Sequence, residues 1–260
     1  MKYKNIDVDF LVTLAQKAGD AIMEIYARDF SIEAKDDKSP LTEADKKSNE
    51  VILKGLKEHY PDIPFISEET KLISYAERKN WNLFWLIDPL DGTKEFIKKN
   101  GEFTVNIALV KEGVPVIGVV YVPAQGKTYY GVEGQGSFKL EDRNSAPVAI
   151  ENKQHYAAKH KVIVVASRSH LDDNTLAFVE QLKAGGKEVE FNSSGSSLKF
   201  CLVAEGKADV YPRFAPTMEW DTGAADAVVR YAGKKVLDRN TGQPLQYNKE
   251  NLLNPYFIVE

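Results

Sequence analysis

Three acidic segments punctuate the chain, each directly after an apolar or aromatic stretch. They are Phe65-Ile66-Ser67-Glu68-Glu69, then Leu86-Ile87-Asp88-Pro89-Leu90-Asp91-Gly92-Thr93, then Glu219-Trp220-Asp221-Thr222-Gly223-Ala224-Ala225. A carboxylate in such a place stands where a buried element should be ending. Carboxylates gathered at those ends repel one another and lose hydration, so a cation is needed to hold them ionised. A hard, all-oxygen set suits magnesium, which keeps some waters and shares its other positions with a substrate phosphate. The pattern implies a magnesium-dependent phosphatase.

Each segment also has a plainer reading. Asp88 and Asp91 flank Pro89, and Gly92 permits a tight turn. That geometry can aim two carboxylates and the Leu90 carbonyl into one small volume, but Asp-Pro and Asp-Gly pairs also make ordinary surface turns. Glu68 and Glu69 suit a solvated loop. Asp221 could cap a helix beginning near Thr222, and Thr42-Glu43-Ala44-Asp45 resembles a capping box. No segment decides alone.

The elements that must position these groups follow from periodicity. Leu11, Leu14, Ala18, Ile22 and Ile25 predict an amphipathic helix, and Val51, Ile52 and Leu56 a second one ending before Pro61. Phe84-Trp85-Leu86-Ile87 predicts a buried central strand terminated by Pro89. Strands over 104–110, 116–122 and near 128–130 make an antiparallel meander. Beyond a polar linker at 141–160, strands at 161–166, 189–191 and 208–211 alternate with helices, the last over about 222–232, closed by Gly233. The expected organisation is an N-terminal α+β half, residues 1–145, carrying most of the acidic candidates. A C-terminal α/β half, residues 160–260, carries Asp221.

Bulk composition narrows the classes. A chain of 260 residues can bury a substantial core, and 43% hydrophobic with 28% charged residues is ordinary for a globular protein. A net charge of −4 without a basic run argues against a nucleic-acid binder. Cys201 is the only cysteine, so no intrachain disulfide forms. With no signal-peptide pattern and no membrane-length apolar run, a cytoplasmic protein is expected, a peripheral place at the inner membrane being left open. His59, His155 and His160 read as surface residues, Cys201 as a buried small side chain, and Trp81 and Trp85 as packing residues.

Taken together, the motifs resemble the lithium-sensitive magnesium phosphatases of the inositol monophosphatase superfamily. The hallmark stands at Asp88-Pro89-Leu90-Asp91-Gly92-Thr93, preceded by Glu68-Glu69 and followed by Trp220-Asp221-Thr222-Gly223-Ala224-Ala225. Within that superfamily the chain is most similar to the CysQ-type 3′(2′),5′-bisphosphate nucleotidases. The match includes Thr93-Lys94-Glu95-Phe96-Ile97, where inositol phosphatases carry a neutral Thr-Asn-Phe, and Asn100-Gly101-Glu102-Phe103-Thr104-Val105-Asn106. It continues through Ser194-Gly195-Ser196-Ser197-Leu198-Lys199-Phe200-Cys201 and Tyr211-Pro212-Arg213-Phe214.

The resemblance implies an α/β fold of alternating helix and sheet layers (αβαβα) and two or three magnesium ions per active site. It implies metal ligation by Glu68, Asp88, the Leu90 carbonyl, Asp91 and Asp221, with Asp45, Glu68 and Thr93 orienting the attacking water. Substrate contacts are implied for Glu68, Leu90, Asp91, Gly92, Thr93, Ser196, Lys199, Arg213 and Asp221, with His170 aligned less surely. Arg168 could join them. The implied reaction is hydrolysis of adenosine 3′,5′-bisphosphate to AMP and phosphate, with 3′-phosphoadenylyl sulfate as a second substrate and a link to sulfur assimilation. An inositol or sugar phosphatase is the nearest rival. A catalytically silent regulator would have lost a metal carboxylate, and all four are present. The partner is a small nucleotide; the sequence does not fix an oligomeric state.

Overall fold

The computed structural model describes residues 1–29, 32–34, 40–166 and 172–260, with backbone alone at 32–34 and 40–41. Helix α1 (Val8–Tyr26) starts on Asp7, whose Oδ1 accepts the amides of Asp9 and Phe10. Helix α2 (Glu43–His59) starts on the expected capping box: Thr42 Oγ1 accepts from Ala44 N, and Asp45 Oδ2 accepts from Thr42 N at 2.8 Å. Both helices lie on one face of a seven-stranded sheet.

That sheet contains β1 (Phe65–Ser67), β2 (Leu83–Asp91), β3 (Thr104–Lys111), β4 (Val114–Val122), β5 (Lys127–Val132), β6 (Gly136–Leu140) and β7 (Val148–Ile150), hydrogen-bonded in chain order. Only β1 and β2 pair in parallel; every other pair is antiparallel. Alternation sorts the core in two: Trp85, Ile87, Ile107 and Leu109 face α1 and α2, whereas Phe84, Leu86, Ala108 and Val110 face the opposite layer.

That opposite layer holds α5 (Leu198–Ala204) and α6 (Glu219–Tyr231), after α3 (Thr93–Ile97) and α4 (Asp173–Ala184) in the chain. Helix α6 can lie close because Gly118 on β4 pairs with Gly131 on β5. A Cβ on Gly118 would sit 2.0 Å from the Ala224 carbonyl oxygen, and one on Gly131 would sit 2.4 Å from that of Ala227. Beyond α6 lie β8 (Lys161–Ala166) and β9 (Glu188–Ser193), paired in parallel, and the antiparallel set β10 (Tyr211–Arg213), β12 (Phe257–Val259) and β11 (Val236–Asp238). A bridge from Val164 to Val210 joins the two groups, and α4 covers the outside through Val179 and Leu182. The layering is αβαβα, and the core beneath α6 takes residues far apart in the sequence, Phe84 and Phe257 among them.

Three local expectations change. Strand β2 does not stop at Pro89: pairing continues to Asp88↔Asn106, breaks register, and resumes at Asp91↔Thr104. Proline at a bulge sacrifices no ladder bond, and the bulge turns the intervening carbonyls out of the ladder. The polar stretch read as a linker supplies the edge strand β7, which pairs with β6. Helix α6 begins at Glu219, not near Thr222, so Asp221 is its third residue rather than its N-cap.

Candidate active site

The bulge of β2 brings its carboxylates to one mouth of the sheet. Asp88 is buried, and its Oδ1 accepts the Leu90 amide at 3.0 Å, which fixes the turn over Pro89. The Pro89 carbonyl is held by Ser48 Oγ at 2.7 Å, leaving the Leu90 carbonyl facing Thr93 Oγ1 at 3.4 Å. Thr93 Oγ1 also lies 3.2 Å from Asp45 Oδ1, while the other oxygen of Asp45 is occupied by its capping box. Thus Asp45 and Thr93, 48 positions apart, are brought together at the bulge. Ser67, just ahead of Glu68, is fixed by donation to Asn49 Oδ1 at 2.7 Å.

Asp91 and Asp221 are joined through Ser197. The Ser197 amide donates to Asp91 Oδ2 at 2.7 Å, and its hydroxyl lies 2.9 Å from that oxygen and 3.0 Å from the Asp221 carbonyl. Asn106 Nδ2 donates to the same hydroxyl at 2.9 Å, and Thr104 Oγ1 lies 3.0 Å from Ser196 Oγ. Thr104, Asn106 and Ser197 lie in stretches that carried the resemblance, but nothing local in the sequence marks them as supports for Asp91. The Asp221 side chain accepts from Met218 N at 2.8 Å, across the first turn of α6.

The start of α6 is tied down from the C-terminal end of the chain. Glu219 is buried and accepts the amides of Asn248 and Lys249 as well as the Lys249 ammonium. Asn254 Nδ2 reaches the Met218 carbonyl at 2.8 Å and Thr222 Oγ1 at 3.0 Å. Asp221 is therefore presented by a helix end whose neighbours are fixed on both sides.

Electrostatically the carboxylates behave as one group. Burial, then Glu68, Asp91 and Asp221, push Asp88 well above the usual carboxylate range, helped by a hydrogen bond with Glu68. Burial and then Asp91 push Asp221 to about 8, against the pull of Met218 N and Arg213. Among the described residues no three acidic, histidine or cysteine side chains close into a cage in this conformation. The case for a cation rests instead on donor chemistry: hard oxygens, mutual repulsion and burial, each of which a divalent ion relieves. Magnesium fits that set.

A cavity of about 400 Å³ opens beside these groups. Asp91 and Asp221 line one part of it; Ser196, Lys199 and Arg213 line another. Lys199 is buried, and its ammonium donates to the Ser196 carbonyl at 2.8 Å and to that of Ser194 at 3.4 Å. Burial lowers it to about 8, with Asp91 opposing. Arg213 Nη2 donates to the Pro216 carbonyl, and its buried Nε has no hydrogen-bond partner among the described residues. The Ser197 amide, at the start of α5, is already given to Asp91. His170 and Arg168 lie outside the described residues.

The plainer readings hold elsewhere. His59, His155 and His160 are exposed, while Trp85 and Cys201 are fully buried. No helix among the described residues is long and apolar enough to cross a membrane.

The family model for the inositol monophosphatase family matches residues 6–256. The chain belongs to that family. It is 47% identical over 249 residues to the 3′(2′),5′-bisphosphate nucleotidase CysQ of Salmonella typhimurium, covering 95% of this chain and 96% of that protein. It is 45% identical over 255 residues to CysQ of Escherichia coli K12, covering 97% and 98%. Among solved structures, CysQ from Bacteroides thetaiotaomicron superposes with a TM-score of 0.81 at 47% identity, covering 97% of this chain and 96% of that one. An IMPase/NADP phosphatase solved with Mg2+ and phosphate shares the fold, with a TM-score of 0.78 at 19% identity, covering 99% and 92%.

Proposed function

We propose that this chain is a magnesium-dependent 3′(2′),5′-bisphosphate nucleotidase. It hydrolyses adenosine 3′,5′-bisphosphate to AMP and phosphate, and takes 3′-phosphoadenylyl sulfate as a second substrate, which links it to sulfur assimilation. The observation that carries the reading is the single cavity lined by Asp91 and Asp221 together with Lys199 and Arg213. A bisphosphate needs both ends: a metal-binding carboxylate set for the phosphate that reacts and fixed cations for the one that does not. The CysQ relatives, matched over nearly their whole length, support the same substrate class.

In this reading Glu68, Asp88, the Leu90 carbonyl, Asp91 and Asp221 would hold magnesium. The bound ion supplies Lewis-acid polarisation of phosphate oxygens and a more acidic water. Thr93 Oγ1 donates to Asp45 Oδ1 and keeps its lone pairs for a water's proton, so the pair would orient the attacking water. Asp45 Oδ1 is the atom placed to take the proton. No covalent intermediate is needed, because positioning and charge neutralisation supply most of the catalysis of phosphoryl transfer. Lys199 has spent two of its three N–H donors on the turn at 194–196; its third donor and the guanidinium of Arg213, which lines the same cavity, are the groups assigned to the distal phosphate.

The deciding assay is phosphate release from adenosine 3′,5′-bisphosphate and from inositol 1-phosphate, each with magnesium and with a chelator. The bisphosphate should lead by about a hundredfold or more in kcat/KM, since a pocket built to pair a second phosphate rejects substrates that leave its polar groups unpaired. Equal rates, or a lead for the inositol phosphate, would move the assignment to the inositol-hydrolysing branch.

A further inference from the structure

Helix α3 and its C-cap carry two cations whose ammonium groups nothing else in the described structure engages. Lys94 and Lys98 stand one turn apart, both exposed, and both line the 400 Å³ cavity. Neither ammonium makes a hydrogen bond or ion pair among the described residues. The other two cations of the cavity are already partly committed, Lys199 to carbonyls of the 194–196 turn and Arg213 to Pro216.

The position of α3 is fixed by close packing. A Cβ on Gly195 would lie 2.8 Å from Glu95 Cγ and from the Glu102 carbonyl oxygen, and one on Gly92 would lie 3.1 Å from Ser196 Cβ. With glycine at both places, α3 presses directly against the turn that Lys199 holds. Of the carboxylates on that side, Asp172 is spent on capping α4 through Thr175, and Glu95 lies across Gly195. Lys94 and Lys98 are left lining the cavity with no ion pair to either carboxylate among the described residues.

We propose that Lys94 and Lys98 form an electrostatic clamp on the substrate phosphate that is not cleaved, and thereby help set the preference for bisphosphates over monophosphates. The proposal rests on the nucleotidase reading above. A phosphate monoester near neutral pH carries close to two charges, and an ammonium is a compact point charge that binds it without demanding one geometry. Because both lysines are exposed, salt screens their contribution far more than that of buried Lys199.

The test compares wild type, Lys94→Ala/Lys98→Ala and Lys94→Arg/Lys98→Arg on adenosine 3′,5′-bisphosphate and adenosine 3′-monophosphate, at low and high potassium chloride. The alanine pair should lose about tenfold in kcat/KM for the bisphosphate at low salt, mainly through KM, and much less for the monophosphate. The loss should shrink at high salt, and the arginine pair should keep the wild-type preference. Equal loss on both substrates, a loss indifferent to salt, or no loss in an enzyme that does hydrolyse the bisphosphate would each overturn the clamp. Failure of wild type itself to hydrolyse the bisphosphate would instead remove the nucleotidase reading, and the clamp with it.

Discussion

The Ser197 amide and hydroxyl converge on one oxygen, Asp91 Oδ2, at 2.7 and 2.9 Å, across 106 positions of sequence. One oxygen of Asp91 is thereby tied to the start of α5, and the other is left for the cavity. The same hydroxyl reaches the Asp221 main-chain carbonyl, so one small side chain ties together two acidic residues far apart in the sequence.

Ser197→Ala should therefore separate positioning from packing. The amide bond to Asp91 survives, but Asn106 Nδ2 loses its acceptor in a buried place, at a cost of about 1–3 kcal/mol. A thermal scan should show a fall of roughly 2–10 °C. Turnover should drop by about tenfold or more through loosening of Asp91. A lowered melting temperature with unchanged kcat would mean that Ser197 only packs.

Asp45 has two jobs on its two oxygens, and they can be divided. Thr42→Ala removes the hydroxyl that caps the Ala44 amide and donates to Oδ2, while the residue-42 amide still donates there, and should cost about 1 kcal/mol of stability with activity largely kept. Thr93→Val removes the partner of Oδ1 and should lower kcat by about 10²–10⁴ with little change in melting temperature. Steady-state kinetics beside calorimetry on both variants would decide. The reverse pattern would remove Thr93 from the chemistry.

Local rules explain which parts of this arrangement were legible in the sequence. The capping box of α2 involves residues three apart, so Thr42 and Asp45 announce it. The layered α/β fold follows from strand and helix periodicities that each element carries within itself. Residues such as Ser197 and Thr104 were not legible as supports, because their partners lie far away in sequence and any small hydroxyl could sit in a loop. The bulge at Pro89 was hidden for a related reason. A proline usually ends pairing, and only the register of β3, which resumes at Thr104, shows that here it does not. The true start of α6 was hidden because its anchor, Glu219 on the amides of Asn248 and Lys249, is supplied from thirty residues away.

Asp91→Asn tests the ionic role of the site against its structural one. The amide keeps the carboxylate's size and can still accept from Ser197 N, so the fold should persist. Removing a charge also relieves repulsion on Asp88 and Asp221. Turnover in magnesium should nevertheless fall by several powers of ten, since each lost metal ligand removes several kcal/mol of transition-state stabilisation. Activity within about threefold of wild type would rule out a metal role for Asp91.

The raised carboxylates also predict how pH and magnesium act together on stability. Burial and Asp91 lift Asp221 to about 8, and burial and Glu68 lift Asp88 in the same direction. A group whose folded pKa exceeds its unfolded one binds protons more tightly when folded. Its contribution is complete below the ordinary carboxylate range, about pH 4, and is lost as pH rises through the folded value. Metal-free protein should thus lose thermal stability as pH rises from about 5.5 towards 8. Lys199 runs the other way, since burial lowers it to about 8 and stability is regained only above that pH, which places the informative window below it. Magnesium binds the deprotonated carboxylates and expels their protons, so the stabilisation it gives should grow across the same window. Melting temperatures in chelator and in magnesium, at three pH values between about 5.5 and 7.5, would measure both trends. Asp221→Asn should flatten the metal-free slope and weaken the magnesium response together. A metal-free melting temperature that rises across this window, or a magnesium shift independent of pH, would mean that these carboxylates are already ionised without an ion.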